Sequence, residues 1–422
     1  MQDSYLTVSL VDTKTNAPIS GANVNIYQED ENTQTTSLIY QGLITDESGQ
    51  VQEIVLPAPD LILTEEPSAI KPYSQYTVEA IANGYENVVI RGVQMFATVE
   101  SRQYIAMYPS DNRNIPLYRQ NEIFSIGEHT LWGTYPPHQI ENSLKPLQPP
   151  TGFVVLDNPV IPEFIIVHDG EPSNKSAANY WVPYKEYIKN VASSEIYSTW
   201  PEQTIYANVV AIISFTLNRV FTEWYRSKGY DFTITSSTSV DHKYIHNRNL
   251  FNKINVVVDD IFTTFIKRPT SARQPLLAQY CDGQKVKCPG QMTQWGSKFL
   301  GDEGYTWQNI LRYYYGEDIA FEQAPVVTGV PASYPGEPLT IGSSGKDVTT
   351  IQNQLNRIAQ TYSAIPKVQE DGNYGQSTAD TVKKFQDIFG LPDTGVVDFK
   401  TWYEISRMYV AITKIASLNP VV

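Results

Sequence analysis

The sequence predicts a multidomain α+β protein: an N-terminal β-sandwich, a central mixed α/β domain with a long buried helix, and a C-terminal three-helix module. Three observations predict it. Before residue 112, short β-branched runs alternate with turns rich in Gly, Asn and Pro. From Ile205 to Phe221 the chain is apolar on nearly every side, which a helix tolerates only when other elements enclose it. After residue 339, apolar residues recur at helical spacing between glycine turns. The expected divisions are a sandwich at 1–112, a Pro-rich linker at 113–163, a central domain at 164–325, a second linker at 326–338 and the helical module at 339–422.

In the first region Leu6 to Val11 alternates and is β-branched, as a half-buried strand requires. Asn16 to Ala22 supplies turn chemistry before the next run, Val24 to Tyr27. The turn Thr45-Asp46-Glu47-Ser48-Gly49 leads into Val51 to Leu56, and Tyr76 to Ala80 and Tyr85 to Val89 follow. The phrase Pro18 to Tyr27, the Thr-Asp-x-x-Gly turn and Gly84-Tyr85 resemble the carboxypeptidase regulatory-like, transthyretin-type sandwich. That resemblance implies structure, and no catalytic cluster stands here.

Seven prolines between Pro136 and Pro162 predict stiff, extended backbone, a natural protease target. Beyond it, Pro201 suits the first turn of a helix running from Glu202 to Tyr225 and stopped by Gly229. Such a helix would be roughly 40 Å long. A strand is expected at Phe232 to Thr235, a helix at Val256 to Phe265 and a strand at Leu276 to Tyr280.

The 422 residues carry a net charge of −14, and 41% are hydrophobic. The pI near 4.9 excludes non-specific nucleic-acid binding, which needs clustered Lys and Arg. The start, Met1 to Tyr5, has neither a basic nor an apolar signal region, so no ordinary signal peptide is expected. Asn208, Ser214, Thr216, Asn218 and Arg219 interrupt the apolar stretch, predicting a buried helix and no membrane span. Two cysteines, Cys281 and Cys288, exclude a disulfide-rich scaffold.

The C-terminal pattern is the most specific. Val348, Ile351 and Leu355, then Val382 and Phe385, fall at helical spacing. Asp371-Gly372 with Gly375 forms a tight turn into the second helix, and Thr394-Gly395 turns towards Thr401-Trp402. This resembles the three-helix peptidoglycan-binding domain carried by many cell-wall hydrolases, which implies binding rather than catalysis.

In the middle, Tyr187 to Ile196 precedes Trp200-Pro201-Glu202-Gln203-Thr204. Met292 to Ser297 and Ile310 to Gly316, with Tyr313-Tyr314-Tyr315, follow in order. Over about residues 180–320 these resemble the stage II sporulation protein D family of lytic transglycosylases, in which a glutamate before the Trp-Pro segment is the catalytic acid. The resemblance assigns that role to Glu195. Its neighbours Val191, Ile196 and Trp200 favour desolvation of the carboxyl, and so a raised pKa suited to proton transfer. Lytic cleavage needs one such acid: it protonates the glycosidic oxygen, then takes the proton of the muramoyl 6-hydroxyl as an anhydro ring closes. Glu202 and Glu186 are the nearby alternatives, although Glu202 also suits a helix N-terminus.

The family also has a Gln-x-Tyr segment, which reads His242-Lys243-Tyr244 here. Tyr244 matches and His242 replaces the glutamine. His242, Tyr244, Trp200, Gln294 and Trp295 are therefore candidate substrate contacts, with Trp295 equally suited to a core. Cys281 and Cys288 are candidates for a disulfide or a metal site. Some sporulation-D relatives hold zinc near this segment, but two thiols do not complete a tetrahedral site without help from His168, His242 or His246. No metal and no cofactor is expected.

The domain order resembles the spore cortex-lytic enzyme precursors (the SleC type) of anaerobic spore-formers. This implies a zymogen, located in the spore at or outside the cortex, in which the sandwich at 1–112 is an inhibitory and folding-assisting pro-domain and the sandwich or the linker lies across the groove near Glu195. It implies cortex peptidoglycan as substrate and a subtilisin-like Csp protease as activator, cutting within about residues 145–158. The rivals are a non-catalytic wall-binding or assembly protein and an amidase or muramidase attacking a different bond.

Overall fold

The computed structural model describes residues 1–30, 35–110, 121–139, 141, 159–230, 232–269, 273–326, 335 and 337–413. The expected cleavage segment 145–158 and most of the second linker lie outside them.

The N-terminal strands are β1 (Gln2–Asp12), β2 (Asn23–Asp30), β3 (Thr35–Ile44), β4 (Gln50–Ala58), β5 (Ser74–Ile81), β6 (Asn87–Met95), β7 (Glu100–Met107) and β8 (Asn121–Ser125). Every strand expected from alternation is present, and β3, β7 and β8 add to them. Leu6, Val8 and Leu10 on β1 face Val24, Ile26, Tyr76, Val78 and Ile90 in one apolar core. The Thr45–Gly49 turn is fixed by Asp46, whose carboxylate accepts from the N–H groups of Ser48 and Gln50 at 2.8 and 3.0 Å. Gly49 is required there: φ is +72°, and a Cβ would lie 2.6 Å from the Leu10 carbonyl. β8 starts beyond residue 112 and pairs in parallel with β6.

The central region holds β9 (Phe164–His168), β10 (Asn179–Pro183), α1 (Tyr184–Glu195), α2 (Glu202–Phe221), β11 (Ile234–Thr235), β12 (Leu250–Phe251), α3 (Asn252–Ile261), β13 (Thr264–Lys267), β14 (Tyr280–Cys281), β15 (Met292–Thr293), α4 (Gln294–Asp302), α5 (Trp307–Tyr315) and β16 (Ala320–Gln323). Its strands form a small sheet, β10-β9-β11, and two pairs, β13-β16 and β14-β15. β12 joins the sandwich instead, in the order β12-β7-β1-β4; the other sandwich sheet is β3-β2-β5-β6-β8.

The long helix is real and enclosed, with residues from Thr204 to Arg219 almost all buried. It is shorter than expected. Pro201 precedes its first residue, and the helix ends at Phe221, not Tyr225, because Glu223 adopts φ +46°. At 20 residues it spans roughly 30 Å. Two further expectations are corrected. The helix expected at Val256 to Phe265 lies at Asn252–Ile261, and Phe265 belongs to β13, whose pairing with β16 outweighs local propensity. Leu276, Leu277 and Ala278 are buried but irregular; only Tyr280 of the expected strand enters one, β14.

The C-terminal helices are α6 (Lys346–Ala359), α7 (Gln376–Phe389) and α8 (Phe399–Thr413). They enclose their own core of Val348, Ile351, Leu355, Val382, Phe385 and Trp402. Its two turns are held alike. Gln352 on α6 accepts from the Gly372 N–H, and Gln386 on α7 accepts from the Gly395 N–H, both at 2.8 Å.

The three regions are docked. Tyr73, Phe96 and Val99 of the sandwich share one core with Tyr197, Trp200 and Phe251 of the central domain. The Trp200 indole donates to the Thr64 carbonyl at 2.9 Å. The helical module meets the sandwich where Gln50 and Arg102 both donate to the Ile388 carbonyl. It meets α1 through a buried ion network, in which Lys185 lies 2.9 Å from Asp259 and 3.6 Å from Glu404.

Candidate active site

Glu195 is the last residue of α1, and Ile196 leaves the helix in extended conformation. The carboxylate is therefore carried by a rigid, buried helix; only 6% of the residue is exposed. One carboxylate oxygen accepts from the Lys243 N–H at 2.8 Å, and the other accepts from the Gln294 amide at 3.1 Å. Gln294 also donates to the Glu195 carbonyl at 2.9 Å, so a single side chain fixes both backbone and carboxylate. Burial raises the pKa of the carboxyl above its ordinary 4.5, and the Lys243 N–H and the Gln294 amide offset only part of that shift.

Glu195 and Gln294 line a cleft of ≈ 80 Å³ that opens to solvent. Two other acids, Asp241 and Asp282, also line it. Both are already engaged. Asp241 accepts from Arg219, Tyr225 and Thr235 at 2.6–2.9 Å. Burial opposes its ionisation, but Arg219 and those hydrogen bonds prevail and hold its pKa below the usual value. Asp282 accepts from the N–H groups of Lys285 and Val286, capping its own loop. Glu195 is thus the cleft carboxylate, among the described residues, held in a proton-retaining environment.

The remaining candidates divide. His242 is buried, its ring 4.4 Å from that of Phe215 and stacked on Tyr280 at 5.7 Å. Burial pushes its pKa down to about 3, so it is neutral near pH 7 and cannot serve as a proton donor there. Tyr244 is buried and bonds His246 at 3.0 Å. Trp200 and Trp295 pack against each other at 5.0 Å inside the core and do not line the cleft. Both are core residues, Trp295 on α4 and Trp200 just before α2. Glu186 pairs with Lys189, and Glu202 opens α2 in an exposed position; neither lines the cleft. Cys281 and Cys288 are bonded to each other. His168 stacks on Phe232, and His246 stacks on Tyr180, so those rings are engaged away from the sulfurs.

Sequence reasoning expected the sandwich or the linker to lie across the groove near Glu195, and in the structure it is linker residues that line the cleft. Residues 128–139, part of the expected linker, run along it as a strap, and Thr130, Gly133, Tyr135, Pro136 and His138 line it. Thr130 donates to the Ser194 carbonyl at 2.8 Å. Lys285 holds the strap through the carbonyls of Trp132 and Gly133. Tyr135, Pro136 and His138 form part of the cleft wall, and the Lys243 ammonium lies 4.6 Å from the Tyr135 ring centre. Further on, the Gln139 N–H donates to the Ser239 carbonyl at 2.7 Å, and Glu141 pairs with Arg219 at 2.6 Å. The prolines signalled extended backbone, but no local pattern showed where that backbone lies.

With this geometry in hand, comparison with known proteins defines a class for part of the chain. Residues 344–405 match the family described as "Putative peptidoglycan binding domain". The chain therefore carries a peptidoglycan-binding module, peptidoglycan is its partner, and its function is peptidoglycan-related. Among particular proteins, the chain is similar to the SleB N-terminal domain, at 27% identity and TM-score 0.16, covering 18% of this chain and 99% of that one. It is also similar to the 5-hydroxyisourate hydrolase of Klebsiella pneumoniae, at 15% identity and TM-score 0.17, covering 25% of this chain and 92% of that one. Transthyretin from Sparus aurata gives 14% identity and TM-score 0.16, covering 24% of this chain and 89% of that one. No curated protein matches the chain.

Proposed function

We propose that this protein is a lytic transglycosylase of cortex peptidoglycan, folded in an autoinhibited state. The observation that carries the reading is one buried, proton-retaining carboxyl in a cleft whose other acids are engaged. Hydrolysis by the common two-carboxylate route needs a second free acid to activate water or attack the sugar. A lytic cut needs one. Protonated Glu195 gives its proton to the glycosidic oxygen, and the C1–O bond breaks with its electron pair going to that oxygen. The muramoyl 6-hydroxyl oxygen then bonds to C1, and its proton passes to the Glu195 carboxylate, which regenerates the acid. The Lys243 N–H stabilises the carboxylate stage, when the group is charged.

The strap supports autoinhibition, since its residues wall the Glu195 cleft and are anchored to α1 and to the Ser239 and Arg219 side of the central domain. A cut within 145–158 would free the chain just beyond the Gln139 and Glu141 anchors. The sandwich itself shares a core with the central domain, so strap release is the economical route to opening. The domain order resembles the spore cortex-lytic enzyme precursors, which supports a spore location and activation by a subtilisin-like protease.

The test uses the full chain with a specific protease site inserted within 145–158. Cut chain is expected to lyse decoated spores and release anhydro-muramic ends, and uncut chain is expected to be nearly inactive. New reducing sugars would mean a hydrolase, released stem peptides an amidase, and no release a non-catalytic binder. Equal lysis by cut and uncut chain would sink the zymogen claim alone. The binding claim has its own check. Residues 339–413 enclose a complete core, so the isolated module should sediment with purified sacculi, and failure to do so would overturn that role for it.

A further inference from the structure

The triple tyrosine of α5 has a use that the cleft does not account for. Tyr313 is 65% exposed, a high value for a large aromatic side chain, yet it is not loose. Its ring meets that of half-buried Tyr314 edge-on, with centres 5.0 Å apart. Tyr314 is fixed in turn, because its hydroxyl lies 3.1 Å from that of Thr293. It also lies over Gly296 of α4, where any Cβ would fall 2.0 Å from the Tyr314 hydroxyl. The glycine is what lets the tyrosine sit on the helix. Phe299, three residues further along α4 and so on the same face, is 43% exposed.

This platform continues from the cleft. Thr293 pairs across β14-β15 with Cys281, a cleft residue, and the next residue is Gln294, which holds Glu195. It lies on α4 and α5, while the strap lines the cleft through contacts made elsewhere. Rigid tyrosines present a flat apolar face and a polar rim at small entropic cost, which matches the apolar face and hydroxyl rim of a pyranose. The occupant follows from the rest of the chain, whose module at 344–405 is of the peptidoglycan-binding class.

We propose that Tyr313, Tyr314 and Phe299 form a carbohydrate-stacking subsite that holds sugar rings of a glycan strand extending out of the Glu195 cleft. The proposal rests on the reading of that cleft as a glycan site, but among the described residues nothing covers Tyr313 in the uncut chain, so it can be tested without chemistry.

The experiment follows amide hydrogen exchange of the uncut full chain while peptide-free glycan strands are added. Exchange is expected to slow in residues 294–315 as well as in 344–405. In Tyr313→Ala the strand concentration needed for protection of 294–315 should rise roughly tenfold, the effect of losing one buried aromatic contact, with 344–405 unchanged. Tyr313→Trp should restore it. Tyr313 is largely exposed, so its removal leaves the fold intact, and unchanged exchange in the free chain checks this. Protection confined to 344–405, or protection of 294–315 indifferent to Tyr313→Ala, overturns the subsite. Neither result bears on whether the cut enzyme releases anhydro ends.

Discussion

Glu195→Gln is expected to abolish lysis by the cut chain and to make the folded protein more stable at neutral pH. An amide neither gives nor takes the proton, and general acid–base catalysis contributes about 10²–10⁴-fold. Because one group serves both halves of the reaction here, the loss should reach the upper end of that range or beyond it. The stability gain follows from linkage. A carboxyl whose folded pKa lies above its unfolded value binds more protons when folded. Its burial is tolerated best below pH 4.5 and becomes a penalty as pH rises towards the folded pKa. Glutamine has no charge to desolvate, so the variant should show a raised Tm at pH 7 and no difference from the parent in acid. Lysis assays and pH-dependent thermal melts check both halves. Substantial activity in a well-folded glutamine variant would end the reading of Glu195 as the acid, since the other sequence candidates, Glu202 and Glu186, do not line the cleft.

The second large effect is expected at Glu404, on the buried face of α8. Burial opposes its ionisation, but Arg407 and Lys185 prevail and hold the carboxyl well below its ordinary 4.5. Lys185 and Lys189 stand on α1, the helix that ends in Glu195, and both also reach Asp259. Glu404→Ala leaves buried cations short of one partner, and breaking such a pair by removing one side costs about 3–5 kcal/mol. The urea midpoint should fall accordingly, and protease should release the helical module from the rest of the chain. For a depressed carboxyl the contribution is complete above pH 4.5 and is lost as pH falls through the folded pKa. Acid should therefore undock the module in the parent and matter little in the variant. An unchanged midpoint would mean that the Glu404 network adds nothing to the docking, which the Gln50 and Arg102 contacts would then carry.

This network changes the picture drawn from the linkers. Pro and Gly around residues 329–338 suggested a tethered binder beside an independent enzyme. The structure docks the binding module against the helix that carries the acid, and against the sandwich at Gln50 and Arg102. Wall binding and the cleft are thereby held in a fixed relation.

Much was legible locally. Alternation announced β1, β2, β4, β5 and β6, because a half-buried strand needs period two. The all-apolar run announced an enclosed α2, and glycine turns with helical spacing announced the C-terminal module. The burial of Glu195 was legible because its apolar neighbours are adjacent in sequence, while its assignment as the acid came from the resemblance to the sporulation-D family. Other features were decided only by distant contacts. β13 replaced a helical run because β16, more than 50 residues later, supplied its hydrogen bonds. Trp200 and Trp295 became core because the sandwich and α4 close over them. Gln294, 99 residues from Glu195, holds its carboxylate only when the chain is folded. Prolines announced extended backbone in the strap, but no local pattern announced where it docks. The sequence by itself determined the strands whose side chains alternate, the helices whose apolar residues recur at helical spacing and which acid lies among apolar neighbours, since these follow from periodicity and adjacency. Only the tertiary structure decided what covers that acid, what holds its proton and where the binding module sits, since desolvation, ion pairing and occlusion arise between residues that the chain brings together only on folding.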